Sequence, residues 1–293
     1  MAIVYHADDY GITLAQARAI LALSSACGGA GALQSVSAFS NSPAFEDAAA
    51  LAAPHVASGA LRAGVHVNLV EGPCLSEPAA VPLLVDERGM FKHDFVGLWR
   101  ASRGPRAEAF RAQVRHECAA QIARFVDAFP EERHRLRADS HQHPHAIPAV
   151  FDALLDAVRD CDCTLSQLRM PVEAVGPHAR HGGIGRLASA NLAKDALLWW
   201  LSRANWHKVP AGCATPAFCG VVLSGGMNRL DDATLQALAA RAARAGRDLE
   251  VLFHPVSVPV KECLDPQNAP FAHACASPGR DAEARWLQKR AAL

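Results

Sequence analysis

Short apolar, β-branched runs alternate along this 293-residue chain with longer stretches in which apolar residues recur at helical spacing. The runs at 2–6, 33–38, 61–67, 136–141, 164–169, 218–223 and 250–253 predict strands. Between them, the stretches at 14–27, 44–52, 107–129, 147–160, 190–204 and 232–245 predict helices. Strand and helix in strict turn is the signature of βαβ units and a parallel sheet, and seven strands with six intervening helices suggest an α/β fold of the βα-barrel kind. Thr13 is suited to cap the first helix, Asp231 and Asp232 put negative charge at the start of the sixth, and Gly246 ends that helix as a left-handed residue would. No Ser/Gly linker, composition shift or internal repeat divides the chain, so residues 1–293 are expected to form one domain.

Two stretches resist the alternation. Residues 71–106 are rich in Pro and Gly, with Phe91, Phe95 and Trp99 spread among them; residues 176–186 carry His178, His181 and four glycines. Loops of this length inside a compact fold tend to serve function, and both are expected at the C-terminal ends of strands, where a substrate cover would sit. The tail, 281–293, reads as a short helix that covers the barrel bottom or pairs with another subunit, which leaves a homo-oligomer open.

Composition narrows the class. Hydrophobic residues at 51% and charged residues at 20% exclude disorder, collagen-like repeats and coiled coils. Lys plus Arg and Asp plus Glu both number 29, a net charge of zero that argues against nucleic acid or an anionic membrane as partner. No apolar run approaches the roughly 18 residues of a membrane span. The opening residues carry Asp8 and Asp9 where a secretion signal would be apolar, and nine cysteines are odd in number, scattered and without a CxxC pair. Reduced thiols and a cytoplasmic location are therefore expected. Cys161 and Cys163 read as small residues at a helix-to-strand turn in preference to a metal pair.

In parallel βα folds, reactive groups collect where strands end. Four of the seven predicted strands end in acid or imidazole: Asp8-Asp9, His66-Val67-Asn68, Asp139-Ser140-His141-Gln142-His143-Pro144-His145, and His254-Pro255. Taken singly each is explained by a loop hydrogen bond or a structural histidine; four at one end of a sheet point to a site. Alternation puts Asp139, His141 and His143 on one face and Ser140 and Gln142 on the other. If the first strand ends there, both Asp8 and Asp9 can reach one cavity. An Asp with two His is a common set for a catalytic divalent metal that leaves positions open for water and substrate. Asp9, His66 and His141 are chosen as metal ligands, with His143 or His145 as substitutes for His141. Asp8 is left to take a proton from water, and His254 to protonate a leaving group.

These motifs resemble one family, the YdjC-like carbohydrate deacetylases, a group that includes chitooligosaccharide and hopanoid-associated deacetylases. The resemblance rests on Ala7-Asp8-Asp9-Tyr10-Gly11, Ser35-Val36-Ser37 with Asn41, Gly64-Val65-His66-Val67-Asn68-Leu69, Asp139-Ser140-His141-Gln142-His143 and His254-Pro255, in the family's order from residue 2 to about 260. It implies a distorted seven-stranded βα barrel, similar to the broader polysaccharide deacetylases, that removes acetyl from an N-acetylated amino sugar. It implies the same roles for Asp8, Asp9, His66, His141 and His254, and one magnesium or zinc ion; on ligand softness alone the donor set suits zinc better. His6 stands where the family has Asn, with an expected position at the cavity rim, and Gln142 stands within what is often a run of three histidines. For substrate contact Tyr10, Phe91, Trp99 and Trp206 are candidate aromatic faces against ordinary packing, and Arg169 is a substrate contact or a surface ion pair. Trp199 and Trp200 are expected to pack their helix on the barrel or on a second subunit. Two rivals remain: another metal-dependent βα-barrel enzyme, such as a phosphoesterase or sugar isomerase, and a non-catalytic metal- or sugar-binding relative.

Overall fold

The computed structural model describes residues 1–183 and 187–290. Ile184, Gly185 and Arg186 of the 176–186 stretch, and the last three residues of the 281–293 tail, lie outside the described residues.

Seven strands form one wholly parallel sheet: β1 (Ile3–Tyr10), β2 (Ser35–Ala38), β3 (Arg62–Val67), β4 (Leu136–Ser140), β5 (Leu165–Leu168), β6 (Ala217–Cys219) and β7 (Leu249–Phe253). Their order is β5-β4-β3-β2-β1-β7-β6. The sheet curls into a barrel-like shape, and two single parallel bridges, Gln167 to Ala214 and Glu173 to Phe218, link its two edges. All seven predicted strands are present; the main difference is that β1 runs on to Tyr10, past both acids, with a register shift against β2 between Ala7 and Tyr10.

Ten helices accompany the sheet among the described residues: α1 (Leu14–Leu21), α2 (Phe45–Ala57), α3 (Phe95–Ala101), α4 (Ala107–Ala128), α5 (Pro148–Asp160), α6 (Val175–His178), α7 (Ser189–Ser202), α8 (Asp232–Arg244), α9 (Ala269–Cys275) and α10 (Pro278–Arg290). In α5, Val150, Phe151, Leu154, Leu155 and Val158 fall on one helical stripe, and all are buried. The expected caps form: Thr13 accepts from the Gln16 N–H, Asp231 accepts from the Thr234 N–H, and Gly246 takes φ 70° after α8. The first helix is shorter than its periodicity suggests, ending at Leu21 before a separate 3₁₀ turn at Ser25–Cys27. The second is longer, because Pro54 near its end removes a single N–H from the ladder without stopping the last turn. The 71–106 stretch contains α3, capped by Asp94; with seven residues it spans under two turns, too few for periodicity to register. No helix among the described residues is long and apolar enough to cross a membrane.

Beyond β7, α9 and α10 return the chain to the sheet. Trp286 of α10 packs on Tyr5 of β1 and Phe253 of β7, with ring centroids 5.6 and 4.9 Å apart. The tail helix lies against β1 and β7 and reaches the ends of both.

Candidate active site

At the C-terminal ends of the strands lies a cavity of about 290 Å³, lined among others by Asp8, Asp9, His141, Lys194, His254 and Arg280. The two adjacent acids reach it together because β1 bulges. Asp9 takes φ 61°, a left-handed conformation uncommon outside glycine, and the pairing with β2 slips across it. Without the bulge, period-two alternation would send one carboxylate to the opposite face.

Asp9 sits between two imidazoles: its Oδ1 is 3.0 Å from His141 Nδ1 and 3.4 Å from His66 Nε2. One donor atom from each of Asp9, His66 and His141 lies within 4.8 Å of the others, and all three residues are buried. The Nε2 atoms of both histidines are buried without a hydrogen-bond partner. An unpaired imidazole nitrogen in a buried position is costly, and two beside a carboxylate fit a divalent cation. Sheet register fixes one of them: His66 and Asp139 are cross-strand partners, and Asp139 Oδ1 lies 2.5 Å from His66 Nδ1, which turns Nε2 toward Asp9. Ser37 also donates to Asp139, at 2.5 Å. That approach depends on Gly64 of β3, where an added Cβ would lie 3.3 Å from Ser37 Oγ and 3.1 Å from the Arg137 carbonyl oxygen. Phe39 stacks edge-on against both imidazoles, with centroids 5.0 Å from each.

Asp8 is held differently. Arg169 donates to both its oxygens at 2.8 Å, and His6 Nε2 lies 3.0 Å away. The same guanidinium reaches Asp139 at 3.0 Å and Glu250 at 2.6 Å. Burial pushes the Asp8 carboxyl up, but Arg169, His66 and His6 together more than offset it and hold it well below the usual carboxylate range. Asp9 follows the same pattern, with Arg280 (2.5 Å) and His141 overcoming burial. Burial also opposes a charge on His66, yet Asp8 and Asp139 outweigh it and raise that imidazole to about 10. A metal ion binding His66 must therefore displace a proton. His254 is pushed down to about 4, chiefly by burial, and its backbone N–H donates to Glu283 of α10 at 2.7 Å.

Several sequence expectations change here. β4 ends at Ser140, and Gln142 and His143 both take positive φ, so alternation stops before them. Gln142 consequently faces the cavity instead of pointing away, and donates to Glu71 at 3.0 Å. His143 also lines the cavity, whereas His145 is tied to Ser140 and the Arg169 carbonyl and does not. His6 lies beneath Asp8, bonded to Ser35, away from the rim. Arg169 is neither a surface ion pair nor free for substrate: it is 1% exposed and fully engaged. Tyr10 and Phe91 are buried in the core, with the Tyr10 hydroxyl on the Ala48 carbonyl, and packing is their role. Trp199 and Trp200 are about half exposed instead of packed on the barrel.

Three residues that line the cavity or bond to its lining carry no motif in the sequence. Arg280 grips Asp9 across 271 positions; Glu71, buried at the rim, accepts from Gln142 and Asn268; Lys194 of α7 enters the cavity with no ion-pair partner among the described residues. None carries a local signal, since each is defined by distant partners. A second cluster, Glu173, His178 and Cys219, has the spacing of a metal site, but Glu173 is saturated by His178 and the N–H groups of Gly220, Val221 and Val222.

Comparison with known proteins identifies the family of this chain. The profile of the YdjC-like protein family matches residues 2–292. The chitooligosaccharide deacetylase of Klebsiella pneumoniae (strain 342) is 28% identical over 257 residues, covering 87% of this chain and 82% of that protein. The human carbohydrate deacetylase is 29% identical over 209 residues, 62% of this chain and 60% of its own length. Among solved structures, a protein of Enterococcus faecalis V583 described as a cellobiose-phosphate cleavage protein superposes with a TM-score of 0.59 at 20% identity, covering 99% of this chain and 93% of that one, a likeness of fold.

Proposed function

Because the chain belongs to the YdjC-like family, we propose that it is a metal-dependent hydrolase that removes the acetyl group from an N-acetylated amino sugar. The observation that carries this reading is the convergence of Asp9, His66 and His141, with donor atoms within 4.8 Å of one another and an unpartnered Nε2 on each imidazole, and with a second carboxylate, Asp8, one residue away in the same cavity. Asp9, His66 and His141 would hold one zinc or magnesium ion, zinc being the better match to two imidazoles. Bound there, a divalent cation supplies Lewis acidity to an amide carbonyl and to a water.

The remaining chemistry belongs to the chain. Asp8, kept ionised by Arg169, accepts the proton of the attacking water. A purely structural metal site would have no use for it. His254 is neutral at rest, so it has no proton of its own to give; the proton that Asp8 took from the water moves to His254, which shares the cavity, and His254 passes it to the departing nitrogen. The amine leaves as the sugar product and the acetyl group leaves as acetate, so that one water is consumed and no other reactant is needed. Arg169 and Asp139 act behind these groups, fixing Asp8 and His66.

The test is acetate release from N-acetylglucosamine and its oligomers, with the protein stripped of metal and then resupplied with zinc or magnesium. Metal-dependent acetate from any of these sugars is the expected result. Stoichiometric metal binding without acetate from any of them overturns the reading.

A further inference from the structure

The whole-chain balance of 29 cationic and 29 anionic residues conceals a strongly uneven surface. Three tryptophans are exposed together on and after α7: Trp199 at 50%, Trp200 at 49% and Trp206 at 38%. Large aromatic side chains exposed in a group mark a surface that is covered by something. Trp199 and Trp206 form walls of one groove of about 490 Å³, which Arg241, Arg244 and Arg247 complete. Arg247 stacks over Trp206 at 5.3 Å, and Arg203 over Trp199 at 5.1 Å. On the other side of the helix Trp200 meets Trp99 edge-on at 6.2 Å, and Arg103 lies over both rings. The outward residues of α7 between these points, Ala193 and Ala196, are apolar.

Each of these five arginines, 103, 203, 241, 244 and 247, lacks a carboxylate partner among the described residues, Arg247 donating only to the backbone carbonyls of Thr215 and Pro216, whereas eleven of the other described arginines have one. The carboxylate in the groove, Glu173, is buried and saturated by internal hydrogen bonds. We propose that the α7 face is a docking surface for a membrane that contains anionic lipid, with Trp199, Trp200 and Trp206 entering the interfacial layer and the surrounding arginines meeting lipid phosphates. Tryptophan is favoured at that depth because its ring is apolar and its N–H can stay hydrated, and each nearby arginine adds attraction to a negative leaflet.

Charge separates this occupant from the alternatives. A second copy related by a two-fold axis would bring five unpaired arginines against five more, with no acid to receive them. A neutral glycan would leave the charges of these arginines without a counter-charge, whereas lipid phosphates supply one. The surface adds nothing to the deacetylase reading and does not depend on it.

The experiment is co-sedimentation of the full chain with vesicles of pure phosphatidylcholine and of phosphatidylcholine containing about a third phosphatidylglycerol. Binding to the anionic vesicles, weakened by high salt and nearly absent on the neutral ones, is expected. The Trp199→Ser/Trp200→Ser variant should bind about a hundredfold more weakly, since each half-exposed tryptophan gives up on the order of 1.4 kcal/mol of transfer free energy, a factor of about ten. Arg241→Glu/Arg244→Glu should lose binding while both tryptophans remain. The residues are exposed, so unchanged melting temperatures are expected of both variants, and neither touches the cavity. The proposal is overturned if the native chain stays in the supernatant with anionic vesicles, or if both variants bind as it does. It is equally overturned if light scattering shows a dimer that the tryptophan variant dissociates, or if N-acetylated oligosaccharide quenches the exposed tryptophans.

Discussion

Arg169→Met removes a guanidinium that is 1% exposed and serves three buried carboxylates at once, Asp8, Asp139 and Glu250. Breaking a buried pair from one side costs about 3–5 kcal/mol because the other charge stays buried, and with three carboxylates left behind the upper end, about 5 kcal/mol at pH 8, is expected. Against a total stability of about 5–15 kcal/mol, that is a large fraction. The loss must depend on pH. In the native chain Asp8 and Asp139 titrate below the ordinary carboxylate value: burial pushes both up, and Arg169, helped by His66, outweighs it. Their contribution is therefore present at neutral pH and lost as pH falls through the lowered values. In the variant burial acts unopposed by Arg169, the folded values rise above the ordinary one, and stability is lost instead as pH climbs. The gap between the two proteins should accordingly be about 2 kcal/mol smaller at pH 5 than at pH 8. Urea denaturation at three pH values reads it directly, and Arg169→Lys, which keeps the charge but not the fork, should fall between. A variant within 1 kcal/mol of the native protein at pH 8, or a deficit equal at all pH values, refutes the reasoning.

Other substitutions test other parts of the site. Asp9→Ala should lose metal and turnover together, whereas Asp8→Asn should keep stoichiometric metal by elemental analysis and lose about a hundredfold or more in kcat. Lys194→Met should leave metal content and melting temperature unchanged but lower kcat/KM by about tenfold or more, as expected for a cation whose partner arrives with the substrate; full activity would show that it serves no bound molecule. Glu71 is raised to about 8, first by burial and then by Asp265 and Asp9, so its contribution is complete below its ordinary value and disappears as pH rises toward 8. Glu71→Gln should therefore flatten the fall in melting temperature between pH 5 and 8, and an unaltered slope would contradict this.

What the sequence discloses and what it withholds divide along one physical line. Strand cores are apolar and β-branched, and their ends are marked by acids and imidazoles, so pattern brings Asp9 and His66 together with one of His141, His143 and His145 and does not choose among the three; the structure sets donor atoms of Asp9, His66 and His141 within 4.8 Å. The parallel order of seven strands followed from the same alternation. Hidden from pattern were features created by backbone irregularity or by remote partners. Gln142 was assigned to the wrong face because two consecutive residues with positive φ end the alternation. Arg169 and Arg280 look like any other arginines until the fold brings them 161 and 271 positions back along the chain to Asp8 and Asp9. The α7 tryptophans looked like packing because helical spacing alone does not say which face the barrel takes.

The grip of Arg280 on Asp9 also imposes a schedule. A ribosome adding about 5–20 residues per second needs about 14–54 s to travel the 271 positions between them. Throughout that interval the sequence of β1 is already made, with its adjacent acids, but without the guanidinium that neutralises Asp9. Charge balance at Asp9 is thus completed only by a residue of the last helix, so the first strand and the final helix of the chain must both be in place before the cavity has its native electrostatics.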